Sequence, residues 1–285
     1  MKTRSYVNAI SSKCPDIPIE SIREISTGQN NDVLVVNEQL IFRFPKHAEA
    51  ARNLAQECRI LQHLRTRMHV RIPQPEYVSL SASDSTLFIG YEMIEGIPLS
   101  DDIFHSTKDK QKLADELGSF LKTLHGVEAG SALDMEASDH VAFWTDLYDR
   151  IQNKLFSYMN SEARLNVKNH FESVLKNYGF FNVPSVLIHG DFGTSNILIH
   201  PETGALAGVI DFGDSGLGDP ALDFAALYAQ YGEGFLEMCK ASYGGMERIQ
   251  ERLDFYAGTF ALQEALFGIE NDDKAAFENG IRTYI

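Results

Sequence analysis

The chain has 285 residues, 44% of them hydrophobic, which is ample for a packed core and long enough for two lobes. A formal net charge of −15 argues against nucleic acid as a partner, and no run of about 18 apolar residues marks a membrane span. Cys14, Cys58 and Cys239 lie in unlike contexts, with neither a disulfide framework nor metal spacing. The first residues, MKTRSYVNAISSKCPDIPIE, lack the apolar stretch of a secretory signal, so a reducing, cytoplasmic location is expected. Residues 1–100 are neutral in formal charge, and the whole acidic excess falls after residue 100. It serves solubility there, or attracts a cationic small molecule.

Residues 20–44 alternate like paired strands. IREIST leads through GQNND into VLVVN, a turn falls at Glu38–Gln39, and LIFRF runs to Pro45. From about Glu49 to Met68 the period becomes helical, with Leu54, Cys58, Leu61, Leu64 and Met68 on one stripe. RIPQPEYVSL and TLFIGYEMI are two further strands separated by SASDS. This order predicts an antiparallel sheet carrying one main helix over residues 1–95. EGIPL then breaks the pattern, which places a boundary near 94–97 and a second lobe over 97–285. Helices are predicted at 109–126, at about 140–158, where Trp144 reads as packing, and at about 162–178. SVLIH, NILIH and LAGVID are short strands, and helices follow to the end. The expected fold class is α+β and bilobal, with the second lobe mainly helical around a small strand insert.

That insert holds the polar residues. His189, Asp191 and Asn196 follow the spacing H-x-D-x-x-x-x-N, and Asp211 lies beyond them in VIDFG. These residue types suit phosphoryl transfer, in which the protein positions groups and neutralises charge. Asp191, on a loop, suits a carboxylate that orients a hydroxyl and accepts its proton. Asp211 and Asn196 offer hard oxygens of the kind magnesium takes, and a hairpin through NILIHPETGALAGVID would set them side by side. His189 reads as a brace for the loop. Asp214 and Asp219, beside Gly213 and Gly218, read as turn residues.

With these motifs the chain resembles the aminoglycoside phosphotransferase family, relatives of the protein kinases. HGDFGTSN is similar to that family's catalytic loop, and IDFGDSGLGDPALDFA to its metal loop and the helix start after it. LIFRFPKH and YEMIEGIPL look most like the branch acting on the 2″-hydroxyl of gentamicin- and kanamycin-type drugs. The resemblance covers nearly the whole chain and implies a bilobal kinase-like fold. It implies Asp191 as catalytic base, Asn196 and Asp211 as Mg2+ ligands, and ATP or GTP as phosphate donor. It implies that Arg43, where kinases usually carry lysine, touches the nucleotide phosphates and pairs with Glu57, with Lys46 as the runner-up. Nucleotide contacts are also implied for Ser26 and Gly28, in the single-glycine loop STGQNND, and at the hinge for Glu92 and Ile94. A bulky Tyr91 is implied to restrict access of the base.

For the acceptor, the acidic excess suits a polyamine sugar. Asp191, Glu233, Glu237 and Glu264 are the candidate carboxylates, with Glu270 beside them. AALYAQYGEG and ASYGGMERI look equally like macrolide kinases, whose acceptor would need an apolar wall such as Tyr228, Phe235 and Phe267. A kinase of a small amine alcohol or sugar is a further alternative, and a nucleotide-binding pseudokinase is the alternative of another class. A dinucleotide-dependent oxidoreductase is excluded by the lack of a Gly-rich turn after the first strand. The sequence carries no signature of oligomeric state.

Overall fold

The computed structural model describes residues 2–25, 30–81, 83–129, 133, 135, 139–177, 179–244 and 249–285. Ser26 and Gly28 lie outside them. The chain divides into two compact units, Met1–Leu124 with Gly193–Ser215, and His125–Phe192 with Gly216–Ile285.

In the first unit, β1 (Ile22–Ile25), β2 (Asn31–Val36), β3 (Leu40–Pro45), β4 (Tyr77–Ser79) and β5 (Phe88–Glu92) form an antiparallel sheet in the order β1-β2-β3-β5-β4. The alternation of side chains gives the sheet two dry faces. On one lie Leu34, Val36, Phe42, Phe44 and Phe88, covered by α1 (Lys2–Lys13) through Ile10. The Tyr6 ring stacks on Phe44 at 4.0 Å. On the other face α2 (Ala48–Leu64) packs Leu54 and Cys58 against Ile89 and Tyr91. Burying one Phe or Leu of these layers contributes about 1.5–3 kcal/mol.

Three details differ from the sequence reading. Helix α1 adds a second helix to the sheet; only Ile10 of its twelve residues is buried, so it shows little periodicity. Helix α2 ends at Leu64, leaving Met68 beyond it. The β2–β3 turn is centred on Asn37 and Glu38, both in the left-handed region (φ 54° and 51°), rather than on Glu38–Gln39. Asn37 sustains it by accepting the Glu20 and Ser21 amides and donating to the Pro18 carbonyl.

The same unit contains β6 (Ile97–Pro98), α3 (Asp101–Ser106), α4 (Lys110–His125, whose last residue belongs to the second unit), and the hairpin of β8 (Ile197–Ile199) and β9 (Leu206–Val209), with β7 (Val186–Ile188) lying in the other unit. Strands β6, β8 and β9 form a three-stranded sheet. Its outer strand is tied to residue 71, since the Val209 amide donates to the Arg71 carbonyl at 2.9 Å. A Cβ on Gly208 would fall 2.7 Å from Ile94 and 2.9 Å from that carbonyl, so only glycine allows this approach.

The second unit is mainly helical: α5 (His140–Leu155), α6 (Ser161–Leu175), α7 (Ala221–Tyr243), α8 (Gln250–Ala257), α9 (Phe260–Glu270) and α10 (Lys274–Ile281). Its one two-stranded sheet among the described residues pairs β7 with β10 (Gly216–Gly218). Trp144, 3% exposed, sits in an aromatic core with Phe255 and Tyr256 at centroid distances of 5.0 and 5.3 Å.

Candidate active site

The first unit assembles the phosphate- and metal-type residues. Phe42 and Phe44 face α1, so Arg43, the register partner of Val33 on β2, faces α2. There the guanidinium, with the residue 8% exposed, donates to the buried carboxylate of Glu57. Its Nη2 reaches Asp211 Oδ1 at 3.3 Å. Burial opposes the charge on Arg43, yet Glu57, Tyr91 and Asp211 outweigh it and hold the pKa above the ordinary arginine value. The Phe212 amide also donates to Glu57, so one carboxylate ties β3, α2 and the IDFG turn together. Lys46 lies elsewhere, 3.5 Å from Asp32, whose other oxygen accepts the Tyr6 hydroxyl at 2.7 Å.

The β8–β9 hairpin brings the backbone of Asn196 against Ile210, the residue before Asp211. Ile197 pairs with Val209, and one step further the Ile210 amide donates to the Asn196 carbonyl at 2.9 Å. Asn196 is 7% exposed. Asp211 adopts φ 63°, a conformation aspartate tolerates better than most residues, and its side chain remains 54% exposed. A half-exposed carboxylate next to an amide-bearing residue fits a cation such as Mg2+ that takes one or two protein oxygens and completes its shell from phosphates and water.

Tyr91 is buried beneath α2 with Leu54, Cys58 and Ile89. Burial pushes its hydroxyl up to about 12, against the pull of the neighbouring Arg43. Glu92 ends β5 exposed, and the next amide, of Met93, donates to the Gln39 carbonyl. The Ile94 side chain turns inward against Leu198 and Ala207.

The second unit holds Asp191, whose side chain is exposed. Its backbone amide donates to His189 Nδ1 at 3.3 Å. The amides just before it are gripped from α7: Asp223, fully buried, accepts His189 N–H at 2.8 Å and Gly190 N–H at 2.9 Å. The same carboxylate accepts His125 Nε2–H at 3.0 Å. Burial alone would raise its pKa, but these donors outweigh burial and hold it below the ordinary carboxylate range. Neither Asp223 nor His125 was singled out by spacing; the only trace is an aspartate placed inside an apolar helix start, DPALDFA.

Asp219 corrects the turn reading. It is 2% exposed and accepts Ala221 N–H, Arg252 Nε–H at 2.6 Å and Tyr256 O–H at 2.9 Å, so it anchors α8 to the start of α7. Among the acceptor candidates, Glu233, Glu237 and Glu264 are exposed on α7 and α9. Glu237 pairs with Lys240 at 2.6 Å. Glu270 is held by Arg150 and Lys154, which already supply its counter-charge.

A viomycin phosphotransferase of Streptomyces vinaceus is 27% identical over 268 residues, covering 91% of each chain. The GDP and kanamycin complex of an aminoglycoside phosphotransferase, APH(2″)-IIIa, superposes with a TM-score of 0.88 at 26% identity, over 98% of this chain and 96% of that one. A macrolide 2′-phosphotransferase of type I shares the fold, with a TM-score of 0.76 at 19% identity over 99% and 96% of the chains. The model of the phosphotransferase enzyme family matches residues 21–256. The chain therefore belongs to that family and is an enzyme, a kinase that transfers a phosphoryl group to a hydroxyl.

Proposed function

We propose that the enzyme transfers the γ-phosphate of ATP or GTP, with Mg2+, to a hydroxyl of a cationic aminoglycoside, a modification that would confer resistance. The observation that carries the nucleotide half of this reading is the chain Glu57–Arg43–Asp211 beside Asn196. A permanently charged, bidentate donor held on a rigid strand suits oxygens of a nucleotide phosphate. Asp211 and Asn196 would hold Mg2+, which when bound neutralises charge on the phosphates. Asp191 would orient the acceptor hydroxyl and take its proton, from a loop whose backbone is fixed by Asp223. Glu92 and Ile94 would meet the base through backbone groups, with Tyr91 limiting its access, and Ser26 and Gly28 would contribute phosphate contacts. The hinge would lie at 91–97, between lobes of 1–95 and 97–285.

The acceptor is assigned by charge and by exposed carboxylates. Glu233, Glu237 and Glu264 are exposed on the helices after residue 220 and suit protonated amines. The apolar wall a macrolide would need is less well provided: Phe235 is 5% exposed, and the Tyr228 hydroxyl donates to Asp254. The test is a transfer screen with ATP and GTP, with and without magnesium, against kanamycin, gentamicin, viomycin, a macrolide and small amine alcohols. Turnover of a kanamycin- or gentamicin-type drug supports the reading. Turnover of only a macrolide or an amine alcohol replaces the acceptor, and none with any acceptor rejects the proposal.

A further inference from the structure

Helix α7 does not run straight. Gly232 has φ 76° and ψ 179°, outside any helical conformation, and divides it into two arms. In a straight helix Asp223 and Tyr243 would stand about 30 Å apart along the axis. Here the two are joined through a single imidazole. His125 Nε2 lies 3.0 Å from Asp223 Oδ2, and its Nδ1 lies 3.0 Å from the Tyr243 hydroxyl. The ring of Tyr243 also meets Phe224, next to Asp223, edge-on at 4.9 Å. The arms are therefore folded back on one another. His125 (7% exposed) lies at their meeting point.

A carboxylate only accepts, so His125 Nε2 carries the hydrogen that faces Asp223, which leaves Nδ1 to the Tyr243 hydroxyl. Every polar atom in the chain Tyr243–His125–Asp223 is used. Asp223 passes the constraint on to the His189 and Gly190 amides. Between Asp223 and Tyr243, around the kink, lie Glu233 and Glu237.

We infer that His125 is a positioning residue that clasps the folded α7 and, through Asp223, couples the segment carrying Glu233 and Glu237 to the loop that presents Asp191. The inference rests on the reading of Asp191 as the group that orients the acceptor. It makes His125 a determinant of turnover rather than of nucleotide binding.

Three variants test it. Tyr243→Phe keeps the ring against Phe224 and removes one hydroxyl. Its kcat should fall about threefold to tenfold, the scale of one neutral hydrogen bond, with nucleotide KM unchanged. His125→Gln can still donate to Asp223 from its amide nitrogen but has no ring nitrogen at the Nδ1 position that meets the Tyr243 hydroxyl, so it should lose a similar amount. The double variant should be no slower than the worse of the two, because both break one link. Gly232→Ala meets no neighbouring atom within 4 Å, yet forces a Cβ into a conformation glycine alone adopts freely. It should mimic the loss of the clasp.

Amide exchange at His189 and Gly190, measured without any substrate, should speed up by a similar factor in Tyr243→Phe. Parent kcat and parent exchange in folded Tyr243→Phe overturn the inference, as does a double variant whose losses multiply. If the His125 variants do not fold, Tyr243→Phe decides alone. If the parent enzyme transfers no phosphate, the proposed function fails, while the exchange measurement still judges the clasp.

Discussion

Asp223 accepts the Gly190 amide at 2.9 Å, one residue before Asp191, although the two lie 33 positions apart in the chain. The loop proposed to carry the catalytic carboxylate is thus held by a buried charge on a helix. Asp223 accepts three N–H donors, from His189, Gly190 and His125. Asp223→Ala should leave buried donors unpaired at about 1–3 kcal/mol each, measured by denaturant unfolding. The sign of the pH effect is set by the depressed pKa of Asp223 in the fold. Its stabilising contribution is fully present above the unfolded value, near 3.9, and is lost as pH falls through the lower folded value. Asp223→Asn should therefore flatten the acid limb of the stability–pH curve, and an unchanged limb would contradict this.

Asp191→Ala should lower turnover by about 10²–10⁴, the typical contribution of a positioned general base. Nucleotide affinity should survive, because Asp191 is proposed to face the acceptor. Steady-state kinetics together with nucleotide titration of the folded variant check both halves, and near-parent turnover would remove Asp191 from the mechanism.

Arg43 and Lys46 separate cleanly. Arg43 lies on the α2 face, bonded to Glu57 and Asp211, whereas Lys46 is paired with Asp32, the acceptor of the Tyr6 hydroxyl. Arg43→Ala should raise nucleotide KM at least about tenfold, the worth of one charge-assisted bond. It should also destabilise the fold by about 3–5 kcal/mol, because Glu57 is left buried without its counter-charge. Lys46→Ala should do little to either quantity. The reverse order in nucleotide KM would reassign the phosphate contact.

The contrast also shows which features were legible in the sequence. The register that puts Arg43 opposite the phenylalanines follows from strand alternation, a period of two residues. The approach of Asn196 to the residue before Asp211 follows from one short hairpin. Both are local, and local periodicity is what a sequence displays. Asp219 and Asp223 were not legible as braces, because their partners Arg252, Tyr256 and His125 lie 33 to 98 positions away. Gly-Asp-Pro is an ordinary turn sequence, and nothing near it announces a distant arginine. Gly232 was hidden for a related reason: glycines inside an apolar helix, here Gly232 and Gly234, are tolerated, so only the closure of α7 on His125 shows which of them makes the kink. Strand β6 is two residues long and has no pattern to read.

Asp211→Asn should weaken the magnesium dependence of nucleotide binding, since it removes a charged oxygen ligand. It also removes the charge facing Arg43 Nη2. Asn196→Ala should act in the same direction and more mildly. Nucleotide titrations with and without magnesium distinguish the two effects. Loss of affinity only with the metal present marks a metal ligand, whereas equal loss under both conditions marks Asp211 as a partner of Arg43 alone.

The acceptor is tested by salt. If the acidic excess after residue 100 recruits a polycation, acceptor KM should rise with ionic strength, because exposed charges are screened over about 10 Å at 0.1 M. The nucleotide contact should respond less, since Arg43 and Glu57 are buried. Charge reversal at Glu233 should raise acceptor KM without changing nucleotide affinity. Glu237 should respond more weakly, because Lys240 lies 2.6 Å from it and already offsets its charge. Glu270→Gln should behave differently again: it would remove the charge that Arg150 and Lys154 share, leaving Arg150 to Asp146, and keep acceptor KM near the parent value. An apolar acceptor makes the opposite prediction, a flat response to salt and to Glu233→Lys. Measuring acceptor KM at low and high ionic strength, with nucleotide saturating, separates these cases. A flat response would overturn the polycation reading while leaving the phosphotransfer chemistry untouched.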